Sequence, residues 1–302
     1  MSKQPVQNKH LEHPEDQILT GNFSVLDWFC ADSTISVKID GAPAIVWGRN
    51  PANGKFFVGT KSVFNKVKIK INHSHEEIDA NHEGKVASIL HACFDSLPRT
   101  NRIYQGDFIG FGGDDTYRPN TITYVFSQVI TQDIIIAPHT IYSGGDDLRE
   151  VSAAPLSSKL KSTKKCLFVQ PEVELNPYRE DLEDVCKFAK QMSTLCEFVS
   201  DRKASQIKKE INACIREQRV VDENEIAEKC DCDKNLIRIW KLVKSIKDDL
   251  FLFIHELDEI ACFINGEASF HEGYVINNKF GTYKVVDRET FSHANFTIAK
   301  SW

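Results

Sequence analysis

The stretch Ser36-Val37-Lys38-Ile39-Asp40-Gly41-Ala42-Pro43-Ala44-Ile45-Val46-Trp47-Gly48 sets a Lys-Ile-Asp-Gly tetrapeptide between two β-rich runs, Ile35–Val37 and Ala44–Trp47. Gly41 suits a tight reversal, because glycine enters positive φ without steric cost. That places Lys38 at the end of a strand, facing a cleft the two runs border. A lysine attacks phosphorus only as the neutral amine, so burial, a nearby cation or a metal has to lower its pKa from about 10.4. Taken alone, Lys-x-Asp-Gly more often marks a hairpin with a solvated lysine, since Asp-Gly is a favoured turn pair. The rest of the chain has to decide.

Upstream, Phe23–Ala31 reads as a short amphipathic helix. Downstream, strands are expected at 34–39, 43–48 and 55–59, the last two joined by a turn at Asn50–Gly54. A helix opens at Ser74 and keeps its apolar spacing through Leu97 to Pro98. A strand at Ile103–Gln105 runs into Gly106-Asp107, with further β-rich segments at 121–130, 133–137 and 167–173. Gly112-Gly113-Asp114-Asp115 and Gly144-Gly145-Asp146-Asp147 read as surface turns rather than cation loops. From 178 to 265 the apolar period is helical, with a long stripe from Leu236 to Leu257 behind Asp233 as N-cap. The β pattern returns at Glu272–Ile276 and Tyr283–Asp287.

The 302 residues suffice for one large domain or two modest ones, and 26% charged with 41% hydrophobic residues is ordinary for a globular protein. No apolar run approaches the roughly 18 residues of a membrane span. Met1–Glu15 lacks the apolar core of a signal peptide and is expected to be a short, loosely attached lead, which points to a cytoplasmic protein. Nine scattered cysteines read as reduced thiols, and Cys230-Asp231-Cys232 lacks the partners of a zinc site. A net charge of −6 does not advertise nucleic-acid binding, although Lys61, Lys66, Lys68 and Lys70, and Lys159, Lys161, Lys164 and Lys165, form local basic runs.

Lys38, Asp40 and Gly41, then Lys61 in Gly59-Thr60-Lys61, Asp107 after Gly106, Glu272 before Gly273, and finally Lys284 each lie at the end of a β-rich segment, where a sheet would present polar groups to a shared cleft. The set holds a nucleophilic amine, two carboxylates for a hard divalent metal and the ribose, and two further cations for phosphate. Here the chain resembles the covalent nucleotidyltransferase superfamily of ATP-dependent DNA ligases, RNA ligases and mRNA capping enzymes. Lys38-Ile39-Asp40-Gly41 resembles motif I, whose lysine is nucleotidylated. Gly59-Thr60-Lys61 is similar to the next motif, and Tyr104-Gln105-Gly106-Asp107 to motif III, whose acidic residue lies near ribose and metal. His271-Glu272-Gly273-Tyr274-Val275-Ile276 resembles motif IV, whose glutamate serves the metal. Tyr283-Lys284-Val285-Val286 resembles motif V, whose lysine contacts the α-phosphate. More narrowly, Lys38–Val46, Phe57–Lys66, Arg118–Tyr124, His139–Tyr142, Lys284–Arg288 and Phe291-Ser292 are similar to an uncharacterised ligase-like family of tailed phages.

The resemblance implies an α+β nucleotidyltransferase (ATP-grasp-like) core of antiparallel sheets, residues 16–177 and 266–302, with a helical insertion at 178–265. It implies Lys38 as catalytic nucleophile, Asp40, Gly41, Lys61, Asp107, Glu272 and Lys284 as nucleotide-binding residues, and Glu272 and Asp107 toward Mg2+ or Mn2+. ATP and RNA or DNA ends would be the substrates; the insertion's mixed charge suits a protein partner as well as a nucleic acid. Ser36 stands where DNA ligases often carry a base-reading glutamate, which leaves ATP or GTP open. Motif V lacks its second lysine, Thr282 and Val286 occupying the neighbouring places. The alternatives are a GTP-using capping-type enzyme and a catalytically silent binding module.

Overall fold

Antiparallel pairing carries the architecture of the chain, for which a computed structural model describes residues 10–175, 180–258 and 260–297. In chain order, α1 (Pro14–Gln17), a 3-10 turn (Ile18–Thr20) and α2 (Ser24–Cys30) precede β1 (Thr34–Lys38), β2 (Ala44–Arg49) and β3 (Phe56–Gly59). Then come α3 (His75–Asn81), α4 (Gly84–Ser96), β4 (Ile103–Phe111), β5 (Thr116–Tyr117), β6 (Thr123–Val125) and β7 (Ile134–Ser143). β8 (Ser152–Pro155), β9 (Cys166–Phe168) and β10 (Val173–Leu175) lead to the helices α5 (Glu180–Ser193), α6 (Asp201–Arg216), α7 (Glu223–Cys230) and α8 (Lys234–Leu252). β11 (Ile254–Glu256), β12 (Ala261–Ile264), β13 (Glu267–Ser269), β14 (Gly273–Asn278), β15 (Gly281–Val286) and α9 (Arg288–Thr297) complete the order.

The fold is α+β. A three-stranded sheet runs β1-β14-β15, and a six-stranded sheet runs β3-β2-β4-β7-β8 with β9 also on β7. Every pairing is antiparallel except β7 with β9. Smaller sheets join β13-β12-β6-β5 and β10-β11.

β2 shows how the sequence builds the larger sheet. Its side chains alternate between faces, and both faces are covered. Ile45 and Trp47 pack with Ile78, Leu90 and Cys93 of the α3–α4 layer, while Val46 packs with Phe57, Val63 and Tyr142 on the other side. A third core joins the rest. Along α8, Leu236, Ile239, Trp240, Val243, Ile246 and Leu250 recur at helical spacing and meet Ile18, Leu26, Trp28 and Phe29 together with Tyr274, Ile276 and Val285. The helices of 180–252 therefore share one core with the amino-terminal helices and the three-stranded sheet.

The expected caps form: the side chain of Ser74 accepts from the amide of Glu77, and that of Asp233 from the amide of Asn235. The Asn50–Gly54 turn closes through the Gly54 amide on the Asn50 carbonyl. Other expectations need correction. The 74–97 helix breaks at His82-Glu83, where Gly84 has φ +60°. The strand at 103 continues to Phe111, so Asp107 lies within it rather than beyond its end. Only 123–125 of the 121–130 segment is strand, and the helical stretch ends at Leu252 because β11 and β12 pair with β10 and β6. The loosely attached lead fails at its end, since Pro14 and Glu15 of α1 are buried. Residues 1–9 of that lead lie outside the described residues, as do 176–179, where the helical block was expected to begin.

Candidate functional site

β1 and β14 bring the organising lysine to its partner. Lys38, the last residue of β1, sits opposite Gly273 in the antiparallel register, so the residue before Gly273 stands beside the lysine side chain. Its Nζ makes an ion pair with Oε2 of Glu272. Gly273 is obligatory for this arrangement. Its φ is +146°, and a Cβ there would lie 2.2 Å from the Val285 carbonyl of β15.

The pair occupies one wall of a cavity of about 680 Å³. The three-stranded sheet contributes Ser36, Val275 and Lys284, while the larger sheet contributes Gln105, Asp107, His139 and Thr140. All seven residues singled out in the sequence, Lys38, Asp40, Gly41, Lys61, Asp107, Glu272 and Lys284, line this cavity. The volume falls within the 300–1,000 Å³ typical of small-ligand sites.

Individual placements add detail. Gly41 does not adopt positive φ; its constraint is space, because a Cβ would lie 2.8 Å from Ile109, 2.9 Å from the Asp107 Cβ and 2.9 Å from the Phe108 carbonyl. Asp40 anchors a loop. Its Oδ1 accepts from Nδ2 of Asn120 at 2.8 Å and its Oδ2 from the Thr121 amide at 2.9 Å, while its own amide donates to the Tyr124 hydroxyl at 2.7 Å. Lys61 opens a short 3-10 turn (Lys61–Phe64) capped by the Thr60 hydroxyl. Lys284 lies mid-strand opposite Val275 rather than at a strand end, and its amide donates to the Glu12 carbonyl.

Protonation follows from burial and neighbours. Burial pushes the Lys38 ammonium down, but Glu272, with Asp107 and Asp40, outweighs it and holds the lysine above its usual range. Burial pushes the Glu272 carboxyl up, more than Lys38 lowers it. Burial, then the Lys38 charge, brings Lys284 below the usual lysine range.

Sequence reasoning passed over several residues of the same cleft. His139 faces Asp107, with Nε2 3.6 Å from Oδ1, and its Nδ1 lies 2.8 Å from the Thr140 hydroxyl. Gln105 accepts from the Tyr142 hydroxyl at 2.7 Å. The amino-terminal residues His10, Leu11 and Glu12 also line the cavity. His139–Tyr142 carried a local signal only as part of the phage-family likeness; the amino-terminal lining carried none.

Behind the site, the buried His271 ring stacks on Tyr124 with centroids 5.7 Å apart, and its Nε2 lies 2.8 Å from Glu256. Tyr124 thus links the loop carrying Asp40 to the residue preceding Glu272. The donor set suits a hard cation. Glu272 and Asp107 offer carboxylate oxygens to the cavity, and Mg2+ is commonly held by one or two carboxylates with substrate phosphates and water completing its shell. Among the described residues no group of three or more His, Cys, Asp or Glu gathers into an all-protein cage.

No helix among the described residues is long and apolar enough to cross a membrane. No curated protein and no solved structure matches the chain. A family model does match, over residues 8–231 and 222–300, and it is described as Family of unknown function (DUF6267). The match spans nearly the whole length, and the chain belongs to that family.

Proposed function

We propose that the chain is an ATP-dependent polynucleotide ligase acting through a covalent Lys38–AMP intermediate, with the two sheets around the cleft as a nucleotidyltransferase core and 178–265 as its helical insertion. One observation carries the reading: a lysine nucleophile, three carboxylates, two further cations and Gly41, scattered from position 38 to 284, line a single cavity.

In this reading the Lys38 ammonium first gives up its proton to solvent, which leaves the adjoining Glu272 carboxylate ionised to hold a cation. Neutral Nζ attacks the α-phosphorus of ATP; the phosphorus–nitrogen bond forms as the bond to the bridging oxygen breaks, and pyrophosphate leaves with that electron pair. Lys284 and Lys61 offset phosphate charge, and Asp40 keeps the loop after Lys38 in place. A divalent cation on Glu272 and Asp107, when bound, would neutralise charge on the pentavalent transition state. The adenylate then passes to the 5′-phosphate of an RNA or DNA end. Attack by a 3′-hydroxyl expels AMP and seals the strand.

Incubation with α-labelled ATP and Mg2+, followed by denaturing electrophoresis, tests the first step. Label retained by the wild type and absent from folded Lys38→Ala is the expected result. Label from GTP alone would move the reading to a capping-type enzyme. No label from either nucleotide would overturn it and favour a silent binding module, the reading to which the firmly protonated Lys38 otherwise lends support.

A further inference from the structure

Away from the cleft, α3 and α4 face each other through a reciprocal arrangement. Each helix supplies a histidine and, four residues later on the same face, an aspartate: His75 and Asp79 on α3, His91 and Asp95 on α4. Each histidine binds the aspartate of the other helix. His75 Nε2 lies 3.0 Å from Asp95 Oδ1, and His91 Nε2 lies 2.8 Å from Asp79 Oδ1. The two Nδ1 atoms are 2.6 Å apart.

Tautomer logic makes this contact informative. An ionised carboxylate only accepts, so the proton of each ring resides on Nε2. A neutral imidazole has a single N–H, which leaves both Nδ1 atoms as bare lone pairs. With ring planes 19° apart and centroids 4.9 Å apart, those nitrogens meet between the ring centres. Two lone pairs so placed require a cation between them, either a shared proton or a metal ion. The surroundings supply two carboxylate charges, and the nearby Lys165 ammonium reaches only the backbone carbonyl of Asp95, at 3.5 Å.

We propose that His75 and His91 form a binding site for a divalent transition-metal ion of the zinc type, held through both Nδ1 atoms with Asp95 and Asp79 as outer carboxylates. A carboxylate on the far nitrogen is the usual orienting partner of a metal-bound histidine, and imidazole suits zinc, copper and nickel. Zinc–nitrogen bonds of about 2.0–2.1 Å at a tetrahedral angle set two ligands roughly 3.3 Å apart, so the rings separate by about 0.7 Å and each turns by about 35° to aim its lone pair at the ion. Side chains that are 43% and 29% exposed can make that adjustment. Water or an incoming ligand completes the shell, because no third His, Cys, Asp or Glu among the described residues converges there. The ion replaces the shared proton, which leaves to solvent, and it joins two helices whose residues do not line the nucleotide cavity. The site therefore stands or falls independently of ligase activity.

Titration calorimetry of the reduced full-length chain with Zn2+ alone provides the test, on wild type, His75→Gln, His91→Gln and Asp79→Asn, with far-UV circular dichroism checking the fold. A saturable site lost in both glutamine variants and weakened about 10- to 100-fold in Asp79→Asn is expected. Zinc binding identical in wild type and both glutamine variants, or none at all, would overturn it. Imidazole 15N spectra of the wild type decide without mutation: zinc must shift both Nδ1 resonances, and a bridging Nδ1–H undisturbed by saturating Zn2+ means the pair holds a proton only.

Discussion

Glu272 has two demands on it. It holds the Lys38 ammonium, and in the proposed reaction it would also serve a metal. Removing its charge should release the lysine, because burial and Lys284 then act without their main opponent. Glu272→Gln is expected to move the titration of Lys38 to lower pH, because the largest charge holding its proton is gone. The pH dependence of Lys38 acetylation, read by peptide mapping, measures it; an unchanged midpoint would mean the ion pair does not govern the amine. At the neighbouring position, Gly273→Ala should disrupt the β14–β15 pairing, since its Cβ meets the Val285 carbonyl at 2.2 Å. Its soluble yield and melting temperature should both fall. Local sequence made Lys38 and Gly41 legible, but for Gly41 it gave the wrong cause. Positive φ is a property of the residue's own backbone, whereas the contact with Ile109 and Phe108 arises only once β4 lies alongside.

The short α1 is tied down by charge. Arg288 donates to Glu15 at 2.9 Å, Asp16 at 3.0 Å and Asn212 at 2.7 Å, all inside the fold. Lys247 reaches Glu15 at 3.3 Å and the Val286 carbonyl at 3.1 Å, and the Trp240 indole donates to Asp16 at 2.9 Å. Arg288→Ala leaves buried carboxylates short of a partner and should cost about 3–5 kcal/mol in urea unfolding. The same cluster makes the fold acid-sensitive. Burial drives the His13 imidazole from 6.5 to about 2, so the unfolded chain takes up that proton first and stability declines below about pH 6.5. Burial raises Glu15, but Lys247 and Arg288 prevail and leave it at about 2; its contribution, present above 4.5, is lost as the pH falls toward 2. Asp16, pushed up by burial, offsets part of this. Unfolding midpoints between pH 7 and 3 should fall in that order, and Arg288→Ala should flatten the steeper, lower limb. Periodicity made the long helices of the 180–252 block legible. It misread α1, because Glu15 and Asp16 look solvated until Lys247 and Arg288, 232 and 273 residues away, are placed beside Glu15.

One core runs through helices and sheets that are far apart in the sequence, joining Ile18 and Trp28 to Trp240 and Val285. The helical block should therefore melt with the sheets in a single calorimetric transition, with matching calorimetric and van't Hoff enthalpies. Two separated transitions would show that 178–265 is an independent unit. The strand order was not legible. The pattern announces that β1, β14 and β15 exist, but no local signal pairs residue 34 with residue 277.

The β1–β14 register has a consequence for synthesis on the ribosome. Lys38 emerges early, yet the strand that seats it lies more than two hundred residues later. A nascent chain halted before Gly273 would carry Lys38 on an unpaired strand edge, open to association with other chains. Late completion of β14 thus leaves Lys38 without its strand partner through most of synthesis, and the chaperones that shield nascent chains would meet it in that exposed state.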